Sequence, residues 1–66
     1  MKFTLIIDDE KKTMKFREKL TIKDVLKNFN IPLEAVVIKK NGEIVVEEEQ
    51  VDDGDIIEVI KVIYGG

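Results

Sequence analysis

Apolar and polar residues alternate along the first part of the chain. Phe3, Leu5 and Ile7 are separated by single residues, and Met14 and Phe16 repeat that spacing after a polar break. A period of two is typical of a β-strand with one buried face. Because the break has the length of a hairpin turn, the sequence predicts two antiparallel strands in this region.

A helical pattern follows these strands. Thr21 is a good N-cap, and Asp24 occupies the third helical position, where a carboxylate is favoured by the helix dipole. Asn30 suits the left-handed conformation that ends a helix, and Pro32 prevents its continuation. The sequence therefore predicts a helix over residues 22–29. Its apolar stripe, at spacings of three and four, consists of Ile22, Val25, Leu26 and Phe29.

The second half of the chain predicts another hairpin and a long last strand. Residues 35–40 are rich in strand-forming side chains, and the Asn41-Gly42 pair that follows is a strong hairpin-turn signal. Residues 43–46 would form the returning strand. After a polar loop and a tight turn at Gly54, residues 56–64 would form the last strand.

This order of elements indicates an α+β fold with one helix packed across one face of a mixed sheet of four to five strands. A helical crossover makes the first and last strands parallel neighbours, with the last strand central. That architecture is the ubiquitin-like β-grasp. We expect residues 1–64 to form this domain and residues 65–66 to form a flexible diglycine tail.

The last strand is apolar on both faces, which is unusual for a sheet with a helix on only one side. Ile57 and Val59 would face the helix, whereas Ile56 lies on the opposite side. Clustered apolar residues on an exposed face usually mark a partner surface. Burial by neighbouring strands, or a register shifted by one residue, would also account for the pattern. The residues that we predict to bind a partner are Ile6, Val37, Ile60, Val62 and Tyr64.

The amino-acid composition restricts the kinds of catalytic and metal-binding chemistry that this protein can perform. The 66 residues can bury one small core but cannot build a deep cleft, so we expect no enzyme activity. The sequence has no Cys and no His, which excludes a thiolate nucleophile, a zinc–thiolate site and the commonest general base. No segment has the length of a membrane span or the character of a signal peptide, and we expect a cytoplasmic protein that is monomeric when free.

Charge is unevenly distributed. Residues 1–33 carry a net charge of +3 and residues 34–66 a net charge of −6. The acidic residues 47–55 lack the ligand order of a calcium loop, so we predict no metal site and a solvated loop that meets a basic partner. A basic stripe lies near the second strand, but no aromatics interleave with it, so a solvated face is favoured over a nucleic-acid site. The stripe consists of Lys11, Lys12, Lys15, Arg17 and Lys19.

Gly65 and Gly66 follow directly on the last apolar run. Glycine has no Cβ, so such a tail is thin and mobile, and we expect the Gly66 α-carboxylate to be its tip. A carboxylate presented in this way can be activated by another protein. A frayed terminus without function is the alternative for the dipeptide alone.

The whole chain resembles the sulfur-carrier family of ubiquitin-like proteins (the ThiS and MoaD types), and among them most closely the thiamine-pathway type, ThiS. Each motif is ordinary turn or cap chemistry when taken singly, but their order and spacing are specific. The residues that carry the resemblance are the N-terminal Met1-Lys2-Phe3, the Thr21 helix, the Ile31-Pro32 break, the Asn41-Gly42-Glu43-Ile44-Val45 hairpin, the Asp53-Gly54-Asp55 turn and the final Gly65-Gly66.

The resemblance implies a mechanism centred on Gly66. A separate activating enzyme that uses ATP and Mg²⁺ would adenylate its carboxylate, a persulfide protein would donate sulfur, and the resulting thiocarboxylate would pass sulfur to a downstream synthase. No cofactor would be bound, and neither nucleic acid nor membrane would be a partner. Thiazole synthesis, molybdopterin synthesis and tRNA thiolation remain open. The chain is also similar to archaeal small modifier proteins, which are joined to lysines, and a β-grasp interaction module is a further alternative.

Overall fold

The computed structural model describes residues 1–62. Its elements are β1 Lys2–Ile7, β2 Glu10–Lys15, β3 Leu20–Thr21, α1 Ile22–Asn28, β4 Val36–Lys40, β5 Glu43–Val45, β6 Gln50–Val51 and β7 Ile56–Lys61. Five of the strands form a mixed sheet with the order β2-β1-β7-β4-β5, in which β1 and β7 are parallel and the other neighbours are antiparallel. The predicted β-grasp, with the last strand in the centre, is therefore confirmed.

Both hairpins of the sheet close through two residues with positive φ. Asp8 and Asp9 have φ values of 52° and 66°, and Asn41 and Gly42 have values of 52° and 87°. Two consecutive positive φ angles define the type I′ turn, whose twist matches that of the flanking strands. Aspartate, asparagine and glycine tolerate this conformation best, which explains why these residues occupy both turns.

The core lies between the helix and one face of the sheet. Ile22, Val25 and Leu26 of α1 are buried, as the helical spacing predicts, and they pack with Leu5 of β1 and Ile57 of β7. Each of these five side chains is at most 2% exposed. In β1 and β7 the buried positions alternate, so the predicted register of these strands is that of the structure.

The helix begins as predicted and ends one residue earlier. The Thr21 hydroxyl accepts a hydrogen bond from the Asp24 amide, and the Asp24 carboxylate accepts one from the Thr21 amide, which forms a capping box. The Thr21 amide and the Thr21 hydroxyl both donate to the Asp24 carboxylate, and these two bonds lower the pKa of Asp24. Phe29 is the C-cap rather than a helical residue, and Asn30 has the expected left-handed φ of 55°.

Two strand predictions are corrected. β7 ends at Lys61, and Val62, which was predicted to belong to it, lies outside the strand, because the partner strand β4 is preceded by a 3₁₀ turn at Leu33–Ala35 that offers no extended edge. The Val62 amide still donates to the Ala35 carbonyl at 2.9 Å, and residues 63–66 lie outside the described part. The predicted polar loop at residues 47–50 contains the start of β6, which pairs with β3 in a separate two-stranded sheet.

Candidate partner-binding face

The sheet face opposite the helix, here called the outer face, is the candidate functional site. Val37 of β4 and Ile60 of β7 are direct cross-strand partners on this face. Ile60 is 36% exposed, whereas Val37 and Ile6 are half-buried. The strand order separates these three residues by at most one strand, and Ile56, which is opposite Thr4 of β1, belongs to the same face.

The four other predicted site residues lie at or beyond the end of β7. Val62 is 37% exposed, follows the end of β7 and borders a separate depression of about 390 Å³ beside Phe29 and Pro32. Tyr64, Gly65 and Gly66 lie outside the described residues. The structure thus brings together Ile6, Val37 and Ile60, and the binding role of all the predicted residues stays a prediction.

The outer face is not uniformly apolar. Glu58 of β7 lies between Ile6 of β1 and Lys39 of β4, so two charged residues occupy neighbouring positions in the middle of this face. Beyond Lys39, Ile44 of β5 is 72% exposed and extends this row to the edge of the sheet. Sequence reasoning did not include Ile44 in the site. The signal that could have identified Ile44 is strand alternation: Val45 is opposite the buried Ile38, so its neighbour Ile44 is on the outer face.

One end of this face, around Ile60, has an excess of carboxylates. Asp8, Asp9 and Glu58 line a shallow depression of about 320 Å³ together with Ile6, Ile60 and Lys61. The carboxylate of Asp8 also accepts a hydrogen bond from the Lys61 ammonium at 3.0 Å, in a pair whose members are both more than half exposed. Exposed pairs of this kind contribute little to stability. An apolar centre with an acidic rim is complementary to a partner surface that is apolar and basic.

A network around Lys40 holds the start of β7, the strand that carries Ile60. The Lys40 ammonium lies 3.1 Å from Glu49, 3.3 Å from Asp52 and 3.4 Å from Asp55, and it donates to the Gln50 carbonyl at 2.8 Å. Desolvation would lower the pKa of Lys40, but the hydrogen bonds that its ammonium donates to Glu49 and Asp52 and the charge of Asp55 raise the pKa overall. The acidic loop is therefore not simply a solvated surface for a basic partner, because part of its charge is neutralised within the chain.

Asp55 is the buried member of this network and is 7% exposed. One of its oxygens accepts from the Asn41 side chain at 2.9 Å, and the other accepts from the Asp52 amide at 2.6 Å. Burial alone would raise the pKa of Asp55, but these bonds and the charge of Lys40 lower it below its ordinary value. Asn41 also accepts from the Ile56 amide at 2.9 Å, so the β4–β5 turn is fixed to the first residue of β7.

Within residues 1–62, no group of three or more Asp, Glu, His or Cys residues has an arrangement that could hold a metal ion. None of the helices in the same part of the chain combines the length and the apolar character needed to cross a membrane.

The fold and sequence of this chain match known proteins over nearly its full length. The model of the ThiS family matches residues 5–66. A crystal structure of a thiamine biosynthesis protein (ThiS) from Geobacter metallireducens is 25% identical, with a TM-score of 0.73 and 100% coverage of both chains. An NMR solution structure of a thiamine biosynthesis protein from the same organism is 27% identical, with a TM-score of 0.70 over 100% of this chain and 88% of that chain. Since the family model covers far more than half of the sequence, the chain belongs to the ThiS family.

Proposed function

We propose that this protein is a sulfur carrier in thiamine biosynthesis and that it carries sulfur as a thiocarboxylate on Gly66. The observation that carries the proposal is the ThiS-family match, which extends through residue 66. The structural relatives named as thiamine biosynthesis proteins support the same pathway. The absence of Cys from the sequence agrees with a carrier whose sulfur is held by a carboxyl group rather than by a side chain.

The proposed chemistry has three steps. In the first, the Gly66 carboxylate attacks the α-phosphorus of ATP on a separate activating enzyme, which gives an acyl-adenylate and pyrophosphate. In the second, the terminal sulfur of a protein persulfide attacks the acyl carbon, and AMP leaves. In the third, a thiol reduces the resulting acyl disulfide, so the thiocarboxylate is released and the thiol is oxidised to a disulfide. Mg²⁺ and the charge stabilisation of the first step belong to the activating enzyme.

In this proposal, the chain itself supplies the reacting carboxylate and the surface that presents it. The outer face, with Ile60 at an apolar centre and carboxylates at its rim, would dock on the activating enzyme. Burial of the apolar side chains would supply binding free energy, and the carboxylates of Asp8, Asp9 and Glu58 would orient the complex against basic side chains. The Lys40 network would keep β7 in register during this contact.

Intact mass spectrometry tests the proposal. The protein is incubated with ATP, Mg²⁺, the activating enzyme and a persulfide donor, and the expected product is heavier by the difference between a sulfur and an oxygen atom. The matched control is a variant that lacks residues 65–66, which should show no gain in mass. Branched peptides on lysines of other proteins would instead support a protein modifier, and an unchanged carboxylate would support an interaction module.

A further inference from the structure

β2 is an outer strand of the sheet, and within residues 1–62 its only neighbour is β1, which leaves its other edge unpaired there. The Phe16 amide donates to the Met1 carbonyl at 2.9 Å, and in an antiparallel ladder such pairs alternate with pairs that make no bond to each other. By this alternation, the amides and carbonyls of Lys11, Thr13 and Lys15 point away from β1. Every second residue of β2 therefore presents a hydrogen-bond donor and an acceptor to an added strand.

A groove runs beside this edge, between β2 and α1, with a volume of about 790 Å³. Its floor is apolar, since Phe3, Phe16 and Val25 contribute to it and all three belong to the core. Met14, which is directly opposite Phe3, lies on the same side of the sheet as the groove. A side chain opposite Met14 on an added strand would share that side and enter the groove.

The segment that forms β2 and the start of the groove, residues 10–19, has a net charge opposite in sign to that of the whole protein. Residues 10–19 carry five basic and two acidic side chains, a net charge of +3, although the chain has a net charge of −3. Glu18 and Asp24 line the groove as well and balance Arg17 and Lys19 there, so the excess of positive charge in this region comes from the lysines of β2. Lys11 and Lys15 are on the outer face of β2, where they are opposite Ile6 and Lys2. The open edge thus lies within the basic part of an acidic protein.

We propose that the free edge of β2 binds an extended acidic segment of a partner protein as a sixth strand. Apolar side chains of the segment alternate into the groove, and acidic side chains lie beside Lys11 and Lys15. The proposal does not depend on the sulfur-carrier function, because β1 separates the free edge of β2 from β7, the strand that carries Ile60. It extends the sequence-based interpretation of the basic stripe, which considered only solvent and nucleic acid.

Two other occupants agree less well with the site. A nucleic acid would use aromatic faces for stacking, but Phe3 and Phe16 are 4% and 9% exposed and pack edge-to-face on each other, with ring centroids 5.8 Å apart. A second copy paired through the same strand would place lysines opposite lysines, which is destabilising. An acidic polypeptide satisfies the open backbone groups, the apolar floor and the positive charge together.

Titration of the isotope-labelled full-length protein with a synthetic peptide, followed by amide NMR, tests the proposal. The probe is a peptide of alternating isoleucine and glutamate. We expect shifts at Lys11, Thr13 and Lys15 and in the groove, and weaker binding as salt is added. A peptide with N-methyl groups on the amides that face β2 should lose at least about tenfold in affinity, because its donors are removed. The same peptide methylated on the opposite amides should still bind.

Variants of the protein complete the test. Thr13→Pro removes an outward donor without breaking a bond to β1, so the fold should persist while peptide affinity falls about tenfold. Thr13→Val is the matched control and should bind normally, as should Val46→Glu, which follows β5 at the opposite edge of the sheet. The proposal is overturned if the shifts map elsewhere or if both N-methylated peptides bind equally. It is also overturned if concentration-dependent shifts of the free protein at β2 show that a second copy occupies the edge, or if a lysine-for-glutamate peptide binds as well as the probe.

Discussion

The Nζ of Lys40 lies 3.4 Å from Oδ2 of Asp55, which ties the end of β4 to the turn that begins β7. Asp55 is buried, and the Lys40 side chain is only 14% exposed, so water cannot readily take the place of either partner. Asn41, next to Lys40, bonds both Asp55 and the Ile56 amide. The start of the central strand β7 is therefore held by a short polar network rather than by apolar packing.

Asp55→Asn should destabilise the protein by about 2 kcal/mol at neutral pH, since hydrogen bonds to a buried charged group contribute about that amount. The variant retains an acceptor for Asn41 but loses the charge that faces Lys40 and the Asp52 amide. Urea unfolding followed by circular dichroism measures the change. Glu48→Gln is the matched control, because Glu48 is exposed, and it should be nearly neutral. Equal effects of the two changes would contradict the role of the network.

The pH dependence of stability should depend on Asp55. Its folded-state pKa lies below the ordinary value of 3.8, so the unfolded chain binds more protons than the folded chain in this range. Asp55 therefore contributes fully above that value, and its contribution is lost as pH falls from about 4 through the folded-state pKa. Unfolding free energies measured over this range should fall less steeply for Asp55→Asn than for the native sequence. Parallel slopes would contradict the lowered pKa.

Lys40→Met should also be destabilising, because it leaves the carboxylates of Glu49, Asp52 and Asp55 without their shared cation. The double variant Lys40→Met/Asp55→Asn should lose less stability than the two single changes together, since neither partner is left buried with an unmatched charge. A double-mutant cycle by urea unfolding gives the coupling free energy. Strict additivity would mean that the two groups do not stabilise each other.

Asn41→Gly should have two opposing effects on stability, one through the backbone conformation and one through the loss of side-chain hydrogen bonds. Asn41 has a φ of 52°, which glycine adopts more readily, yet the substitution removes the bonds to Asp55 and the Ile56 amide. We expect a net loss of about 1 kcal/mol, because lost bonds to a buried carboxylate outweigh relief of backbone strain. Asn30→Gly is the control, since Asn30 has a φ of 55° and takes part in neither of these bonds. Thermal unfolding should show no loss for that variant.

The sequence predicted the elements that depend on local chemistry and on regular spacing. Thr21 and Asp24 form a capping box, Asn30 ends the helix region and Asn41-Gly42 makes the β4–β5 turn, because each depends on neighbours within a few residues. The alternation around Ile57 likewise fixes which face of β7 is buried. These patterns are enough to predict the β-grasp, because the only helix in the pattern must pack its apolar stripe against one face of the sheet.

Long-range polar contacts were not predictable in the same way. Lys40 and Asp55 are separated by fifteen positions, and nothing local in the sequence distinguishes Asp55 from the exposed Asp53. The pairing of Gln50 with Thr21 in the small sheet was also missed, because two-residue strands have no measurable period. The candidate site was predicted at Ile6, Val37 and Ile60, but Ile44 was missed, since its exposure depends on which strand lies at the edge.

Ile60→Glu should weaken binding to the activating enzyme while the fold persists. Ile60 is 36% exposed, so a charged side chain is accommodated, and the new carboxylate would join Asp8, Asp9 and Glu58 beside an apolar contact. Val46→Glu is the matched control: Val46 is 67% exposed but borders a different depression, with Leu33 and Val36. Affinity for the activating enzyme, measured by calorimetry, should fall at least about tenfold for Ile60→Glu and remain unchanged for Val46→Glu. Normal affinity of a folded Ile60→Glu variant would remove the outer face from the proposed function. An unfolded variant would show that Ile60 supports the core. In that case Ile56→Glu, at a residue that is 47% exposed, would decide whether the outer face binds the activating enzyme.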